Sequence, residues 1–369
     1  MLRSVTRCFT ISRALVVLFG ILGYFLLPVV HQGTMVPLVH PAPWFLGMWY
    51  QWDANWYMSI INGGYHWVAG SQSNVAFFPL YPLVTREVGR LLGSRYLLSG
   101  LLLSAVFLYG AMIFLYRLVK DEFGERTASI TVWLLAIFPT SLFFTAMYTE
   151  SLFMLLSVAS FYYGRKNKWA VAGALGLLAS MTRVTGLLLI IPLAYEYLEQ
   201  RSFSPIKSLK PALLWLTLIP GGLAIYMGYL YFGFGRPMAF AETQTVGWGH
   251  SFTPVIGSFS NDFSVLFHVH EKWVIYDMAA TLLLAACVVI GYRLLRRSYV
   301  IYMFLSLLFP LLEGTTKSMS RYVLVVFPVF ILLALAASRR RAVLWAVSGV
   351  SLVLLGVATA VFTSGSWVA

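Results

Sequence analysis

Long apolar runs recur along the whole chain and constrain its fold more than any other feature. Of the 369 residues, 60% are hydrophobic and 11% are charged, and the mean hydropathy is +0.80. A soluble domain of this length needs a polar surface, so the composition excludes a soluble globular protein. The runs also lack the polar and apolar alternation of a membrane β-barrel. The sequence therefore predicts an all-α polytopic membrane protein, built as a single domain over residues 1–369.

About eleven segments are apolar enough to be transmembrane helices, although a span needs roughly 20 residues and several are shorter. They cover approximately residues 14–30, 97–117, 128–147, 151–163, 169–181, 184–198, 211–232, 274–292, 299–312, 322–337 and 342–362. Three arginines, Arg3, Arg7 and Arg13, precede the first segment as in a secretory signal, but no small-residue cleavage site follows Pro28. We therefore expect a retained first helix.

The basic residues are distributed unevenly between the two sides of this predicted topology. With the N-terminus inside, 18 of the 26 Lys and Arg residues fall in cytoplasmic segments, Arg13 among them. This excess predicts a multi-pass protein of the cell membrane with a cytoplasmic N-terminus and a non-cytoplasmic C-terminus. It also accounts for the net charge of +13 without a nucleic-acid partner. Most acids and all 6 histidines then lie outside, where two long loops, about 31–96 and 233–273, are expected to wall the site.

The first outer loop combines an acid with many aromatic residues. Residues 52–62 place Asn55, Ser59 and Asn62 on one face, the pattern of an amphipathic helix in the membrane interface. Asp53, at the start of this helix, is either an N-cap that accepts backbone N–H bonds or a general base, and the two roles are compatible.

The rest of this loop is expected to contain a turn and a second helix. Gly63 and Gly64 end the first helix. Prolines in residues 77–82 predict a rigid turn, and residues 83–95 predict a second amphipathic helix.

Several motifs occur in the order and spacing of a known family. They are Trp52-Asp53, Gly64-Tyr65, Ala76-Phe77-Phe78-Pro79-Leu80-Tyr81-Pro82, Tyr148-Thr149-Glu150, Thr182-Arg183-Val184-Thr185-Gly186 and Ser320-Arg321-Tyr322. Together they resemble the PIG-V type mannosyltransferases of the GT-C superfamily of integral-membrane glycosyltransferases. The chain is shorter than the eukaryotic members and lacks their insertions, so it resembles a bacterial member, with an archaeal one as the alternative. It departs from the family at Gln51, where Arg is common.

The resemblance implies a GT-C-like fold and an inverting glycosyltransferase. Such an enzyme moves a sugar, usually mannose, from a polyprenyl-phosphate carrier to an acceptor, here a glycolipid or glycan of unknown identity, on the non-cytoplasmic face. An acid in the first outer loop is essential in that superfamily, and the matching position is Asp53. Glu150 is expected to be a second catalytic acid that contacts sugar hydroxyls, and its alternative role is to compensate a helix dipole.

The donor phosphate and the sugar need further partners. Arg183, Arg321 and Lys317 are the outer-face cations expected to bind the phosphate, with interfacial snorkelling as the alternative. We expect Asp53, Glu150, Arg183 and Arg321 to line one outward-facing cavity. Aromatic residues are expected to contact sugar or lipid, with interfacial anchoring as the alternative. These aromatic residues are Trp52, Trp56, Tyr65, Phe78, Tyr81, Tyr148 and Tyr322.

No metal or cofactor is predicted. His268 and His270 form a His-x-His pair, but no third ligand near them has diagnostic spacing. A loosely bound divalent cation near the donor phosphate remains an alternative. No Walker or Rossmann motif is present. The competing function is a transporter or flippase, because charged residues within membranes also mark substrate paths, but no internal repeat supports it.

Overall fold

The computed structural model describes residues 1–30, 36–208, 210–249, 252–269 and 273–368, and these residues contain helices and no β-strand. The α-helices are α1 Leu2–Leu26, α2 Trp44–Gly47, α3 Asp53–Gly63, α4 Leu80–Leu91, α5 Tyr96–Ala136, α6 Glu150–Arg165, α7 Trp169–Ser180, α8 Ile190–Glu199, α9 Pro205–Ser208, α10 Leu218–Phe234, α11 Ala239–Trp248, α12 Val255–Ser264, α13 Trp273–Leu294, α14 Arg297–Leu311, α15 Met319–Leu324, α16 Phe327–Arg339 and α17 Arg341–Thr363. Short 3₁₀ helices lie at Asn74–Ala76, Ser141–Phe144, Val184–Leu189 and Pro211–Thr217, and a π-helix at Val265–Val269. The all-α prediction is confirmed.

Among the residues that the structure describes, five helices are long and apolar enough to cross a membrane. They are Leu2–Leu26, Tyr96–Ala136, Pro211–Phe234, Val274–Leu294 and Arg341–Thr363. Shorter apolar helices occur at Trp169–Ser180, Arg297–Leu311 and Phe327–Arg339. Each of the predicted apolar segments contains helix, so the protein is a multi-pass membrane protein.

The largest departure from the predicted spans lies between residues 97 and 149. The segments predicted at 97–117 and 128–147 belong to one helix, α5, which is interrupted at Gly124 by a non-helical backbone (φ 83°, ψ 171°). This helix ends at Ala136, and residues 137–149 contain only one short 3₁₀ turn. The second half of the span predicted at 128–147 is therefore wrong. Nearly all of these residues are buried, which explains why hydropathy alone scores them as a span.

Arg13 compensates the irregular backbone of residues 137–149, hereafter the buried connector. Its guanidinium donates to the carbonyls of Ala136 (2.6 Å) and Ser141 (2.9 Å) and to the hydroxyls of Ser141 (3.1 Å) and Thr145 (2.9 Å). Arg13 lies well inside α1 and not in a loop, and its assignment to a cytoplasmic segment remains a prediction. Because non-helical backbone inside a membrane protein must find internal partners, a cation on the neighbouring helix is a direct solution.

Serine hydroxyls satisfy further carbonyls of the buried connector. Ser104 of α5 donates to the carbonyl of Ala146 (2.9 Å), and Ser151 of α6 donates to that of Phe144 (3.1 Å). Both serines are fully buried. The connector thus takes hydrogen-bond donors from side chains of α1, α5 and α6, since its few backbone hydrogen bonds do not satisfy all of its carbonyls.

The contacts group the chain into two compact units. The first unit comprises Met1–Tyr65, Leu80–Leu155 and Leu333–Val368, and the second comprises His66–Pro79 and Leu156–Leu332. Within the first unit, α1 packs against α5 and α17. A Cβ added at Gly23 of α1 would overlap Ala360 of α17, so glycine permits this close approach. Within the second unit, α7 packs against α10, and α14 against α8 and α13.

The two amphipathic helices expected in the first outer loop are α3 and α4. The face of α4 that is buried carries Tyr81 and Thr85, whereas Glu87 and Arg90 are exposed and form an ion pair of 2.8 Å. This helix begins at Leu80, so Pro82 lies in its first turn, where a missing backbone N–H costs no helical bond. The predicted rigid turn over residues 77–82 is therefore corrected, since its second half is helix.

Replacing Arg13 by Met should destabilise the protein by at least about 2 kcal/mol, because two buried carbonyls lose a charged donor. Thermal unfolding of the purified protein in detergent measures this change. Arg7→Met is the matched control, since Arg7 lies on the same helix and is exposed. Equal stability of the two variants would contradict the role of Arg13.

Candidate functional site

Asp53 is held by an unusual backbone conformation at the start of α3. Trp52, directly before it, has φ 52° and ψ −112°, a backbone conformation that residues other than glycine rarely adopt. The hydroxyl of Tyr148 accepts a hydrogen bond from the Asp53 N–H (3.2 Å) and donates one to the Gln51 carbonyl (3.2 Å). These two bonds bracket Trp52. Backbone strain maintained in this way is concentrated at functional sites, so it is a reason to examine Asp53 closely.

The structure decides one alternative for Asp53. The helix begins at Asp53 itself, and the cap position is occupied by Trp52, whose side chain makes no capping hydrogen bond. The interpretation of Asp53 as the N-cap is therefore wrong. Its half-buried side chain lies in the first helical turn, and its N–H is bonded to Tyr148. The Trp52 ring packs edge-on against Trp367, with ring centres 5.1 Å apart.

Tyr148 and Thr149, the last two residues of the buried connector before Glu150, make hydrogen bonds to α3. Tyr57 of α3 donates through its hydroxyl to Thr149 Oγ1 (3.4 Å), one turn after the bond between Asp53 and Tyr148. The next residue, Glu150, begins α6 and is fully buried. Tyr148 and Thr149 of the connector thus position α3, and the residue that follows them, Glu150, is the second predicted acid. Asp53 and Glu150 belong to the same unit.

Tyr81 packs beside this arrangement. Its ring lies edge-on to that of Tyr57, with centres 5.4 Å apart, and its hydroxyl bonds to Ser104 (3.0 Å) and the Gly100 carbonyl (3.1 Å). Burial raises the pKa of the Tyr81 phenol, and the negative charge of Glu150 raises it further. Tyr81 therefore stays neutral and can act as a hydrogen-bond partner near Glu150.

The predicted cations gather in the second unit. Arg321 lies on α15 and is only 6% exposed, whereas Lys317, just before this helix, is exposed. The guanidinium of Arg183 lies 5.4 Å from the centre of the Tyr322 ring, within the range of a cation–π contact. Simple snorkelling does not describe Arg321, because a snorkelling side chain places its head in water. The cavity predicted to contain both these cations and the acids remains a prediction.

Two buried acids shape the loop that carries Lys317. Asp277 of α13 accepts hydrogen bonds from Ser318 N (2.9 Å), Ser320 N (2.9 Å) and Ser320 Oγ (2.7 Å). Asp262 of α12 accepts from Thr316 N (2.9 Å) and Thr315 Oγ1 (3.0 Å). Both carboxylates are almost fully buried. Their hydrogen bonds fix the backbone of residues 314–320, in which Ser318 has φ 66°.

Sequence reasoning missed this function of Asp262 and Asp277. The available clue was that Asp277 lies within an apolar segment, where a carboxylate requires several hydrogen-bond donors. The identity of those donors depends on the loop conformation. The sequence therefore could not supply it.

The remaining aromatic residues occupy different environments. Trp56 and Tyr65 are half-buried in the first unit. Phe78 is buried in the second unit, where its ring centre lies 5.0 Å from that of Tyr226 and 5.6 Å from that of Phe240. Packing is thus the observed role of Phe78, and its contact with sugar or lipid remains a prediction.

Among the described residues, no group of three or more His, Cys, Asp or Glu is placed to hold a metal ion. His270 and Glu271 lie outside the described residues, and so does the side chain of His268. The expectation of no metal therefore remains a prediction.

The family comparisons agree with the motifs. A family model for dolichyl-phosphate-mannose-protein mannosyltransferases matches residues 78–232. GPI mannosyltransferase 2 of Drosophila pseudoobscura pseudoobscura is 27% identical over 182 residues, which cover 42% of this chain and 39% of that protein. GPI mannosyltransferase 2 of Yarrowia lipolytica is 33% identical over 87 residues, 23% of this chain and 24% of that protein. The matched regions span well under half of these relatives.

A solved structure shares the fold. ArnT from Cupriavidus metallidurans, solved with undecaprenyl phosphate bound, superposes with a TM-score of 0.54 at 15% sequence identity. The match covers 95% of this chain and 63% of ArnT. This chain thus shares the fold of ArnT, and the resemblance to mannosyltransferases drawn from the motifs is confirmed by the family model and the two relatives.

Replacing Asp277 by Asn should loosen the loop of residues 314–320. An amide has one acceptor oxygen, so its NH₂ group would face the N–H of Ser318 or Ser320, and those amides should exchange with deuterium faster. Hydrogen exchange measured by mass spectrometry tests this expectation. Asp121→Asn is the control, because Asp121 is exposed on α5. Unchanged exchange across residues 316–320 in Asp277→Asn would show that the carboxylate does not hold the loop.

Proposed function

We propose that this GT-C membrane protein transfers a sugar, most simply mannose, from a polyprenyl-phosphate carrier to a hydroxyl of a glycan or glycolipid. The observation that carries the proposal is the pair of hydrogen bonds that the Tyr148 hydroxyl makes to Asp53 N–H and the Gln51 carbonyl. These bonds fix Asp53 next to Trp52, whose backbone is strained. The carrier is supported by the lipid phosphate bound to ArnT, and the sugar by the mannosyltransferase relatives. We further propose that residues 1–369 act as one catalytic domain.

In this mechanism Asp53 is the general base. Its carboxylate takes the proton of the acceptor hydroxyl as the hydroxyl oxygen forms a bond to the anomeric carbon of the sugar. The bond between that carbon and the phosphate oxygen breaks, and its electron pair remains on the polyprenyl phosphate that leaves. Attack from the face opposite the phosphate inverts the anomeric centre. Positioning and charge stabilisation suffice for such a step, because a phosphate is already a good leaving group.

The other predicted site residues receive supporting roles. Arg321, Lys317 and Arg183 bind the phosphate and stabilise the charge that develops on it. Glu150 hydrogen-bonds sugar hydroxyls, with Tyr81 as its neutral neighbour. The burial of Arg321 supports its assignment, since a desolvated guanidinium binds an anion more strongly than one in water.

The proposed topology follows from the charge distribution. The N-terminus lies in the cytoplasm, and the C-terminus and the site lie on the non-cytoplasmic side of the cell membrane. The donor then reaches the site from the bilayer, which agrees with the lack of a nucleotide-binding motif in the sequence.

Asp53→Asn should lower kcat by more than about 100-fold, because the amide cannot accept the acceptor proton. The purified protein is supplied with polyprenyl-phosphate-mannose and a panel of glycan and glycolipid acceptors, and transferred sugar is measured. Asn62→Asp adds a carboxylate at the other end of α3 and serves as the control. Wild-type rates in Asp53→Asn would remove its proposed role, and lipid movement across liposomes without any transfer would favour a transporter.

Tyr148→Phe should lower kcat by about 10-fold with little change in the KM for either substrate. The lost hydroxyl leaves Asp53 N–H and the Gln51 carbonyl without their partner, so Trp52 relaxes and the carboxylate loses its position. Steady-state kinetics measure this effect. Tyr109→Phe, which removes the hydroxyl that bonds to Thr6, is the matched control. A wild-type kcat in Tyr148→Phe would contradict the positioning role.

A further inference from the structure

The helix α12, in the second unit, directs its polar face toward the protein and its apolar face outward. Its buried residues are Ser258 and Asp262. On the opposite side of the helix, Ile256 and Phe263 share one face because they are seven residues apart. These two residues are 83% and 49% exposed. A surface helix of a soluble protein has the reverse arrangement, so the apolar face of α12 requires a partner other than water.

The polar face of α12 is bonded to the chain that follows α14. Ser258 Oγ donates to the Leu311 carbonyl (2.6 Å), and Asn261 Nδ2 donates to the Gly314 carbonyl (2.9 Å). The first bond reaches the end of α14, and the second reaches the start of the loop of residues 314–320. The orientation of α12 is therefore fixed by specific hydrogen bonds, and its apolar face is held outward.

Asp262 extends this contact to Lys317. Its carboxylate accepts a hydrogen bond from the Thr315 hydroxyl (3.0 Å), and the same hydroxyl oxygen accepts one from the Lys317 N–H (3.0 Å). Two hydrogen bonds in series thus connect the helix with the backbone of a proposed phosphate ligand. A displacement of α12 would be transmitted to that residue.

The position of α12 in the fold places it at the end of apolar helices. It packs against α14 near Leu311, and the π-helix that follows it packs against α13. Arg293 and Arg297 lie at the opposite end of α13 and α14. With 10 residues, α12 is about 15 Å long, too short to cross roughly 30 Å of hydrocarbon. A short apolar helix at the end of spanning helices is typical of the membrane interface.

The exposed apolar surface continues from α12 toward a spanning helix. The rings of Phe263 and Phe267 lie nearly parallel, with centres 6.4 Å apart, and Phe267 is itself exposed. On α13, which is long and apolar enough to cross a membrane, Ile275, Leu282 and Val289 are exposed at seven-residue spacing and form one stripe. Such a stripe on a spanning helix faces lipid chains. The same partner therefore accounts for the apolar face of α12.

We propose that α12 is a membrane-interface helix. Its apolar face lies against the hydrocarbon of the bilayer, and its polar face holds the loop of residues 314–320 at the membrane surface. The second part rests on the proposed function, in which Lys317 binds the phosphate of a lipid carrier. Because the phosphate of such a carrier lies at the surface and its chain in the hydrocarbon, a helix in contact with both regions keeps Lys317 at the depth of its ligand. Asp262 is then a positioning residue.

Electron paramagnetic resonance of a nitroxide label locates the apolar face. Cys8 and Cys287 are first replaced by Ala, and Ile256→Cys is labelled in the full-length protein in vesicles of phosphatidylcholine and phosphatidylglycerol. Oxygen, which concentrates in hydrocarbon, should relax this label more than a water-soluble nickel chelate does. Val289→Cys on the α13 stripe is the control for lipid, and Ser71→Cys, in an exposed polar loop, is the control for water.

Two results for Ile256→Cys would overturn the proposal. A label that the nickel chelate relaxes more than oxygen does, as expected at Ser71→Cys, would show that the face lies in water. A short distance between the labels of two protein molecules, measured by double electron–electron resonance, would show that a second copy covers the face. A preference for oxygen like that of Val289→Cys supports lipid contact.

Binding of undecaprenyl phosphate tests the positioning role of Asp262 without turnover. Asp262→Asn removes an acceptor of the loop and should weaken this binding at least about fivefold. In the transfer assay it should raise the KM for the donor by a similar factor and leave the KM for the acceptor unchanged, a split that general loss of structure would not produce. Asp121→Asn, at an exposed position of α5, is the control. Equal binding in the two variants would remove the role of Asp262.

The proposed function can fail separately from this inference. A protein that transfers no sugar, but whose Ile256→Cys label lies in hydrocarbon and whose binding of undecaprenyl phosphate depends on Asp262, retains the interface helix and loses the reaction. Sugar transfer by a protein whose Ile256→Cys label lies in water retains the reaction and removes the interface helix.

Discussion

The hydrogen bonds from Arg13 to the buried connector are the interaction on which the candidate site depends. Residues 137–149 run through the interior with only a few helical hydrogen bonds, and several of their carbonyls take donors from side chains of other elements. Arg13 supplies charged donors to the end of α5 and to Ser141. The cost of placing a guanidinium within a membrane helix is offset because the guanidinium donates hydrogen bonds to buried backbone carbonyls. The connector can then deliver Tyr148, Thr149 and Glu150 to a defined place.

Both units use the same physical device to hold an irregular backbone. In the first, Tyr148 bonds on both sides of Trp52, and in the second, Asp277 bonds on both sides of Met319 and next to Lys317. Each braced segment contains a residue with positive φ, Trp52 or Ser318. In each case a side chain from another element accepts a hydrogen bond from a backbone N–H at the start of a helix, where the helix itself offers no partner. The proposed catalytic acid Asp53 and the proposed phosphate ligand Lys317 thus lie next to strained residues that have external support.

Prediction from the sequence was most accurate where a property depends on local composition. The helical character of the predicted segments, the amphipathic helices around Asp53 and Glu87 and the family resemblance all follow from apolar runs, periodicity and motifs. It was least accurate for residues 137–147, which are apolar but not helical. Hydropathy measures the preference of a segment for the interior, and it does not reveal whether the backbone there bonds to itself or to Arg13.

The sequence by itself determined the class of protein, because a chain that is 60% hydrophobic requires an apolar environment wherever it folds. It also selected Asp53, Glu150 and Arg321 through motifs. Only the tertiary structure decided how these residues are held and which others matter. The hydrogen bonds between Asp53 and Tyr148 and between Ser318 and Asp277 join positions far apart in the chain. Such contacts depend on the directions of side chains after packing, and local sequence patterns do not contain that information.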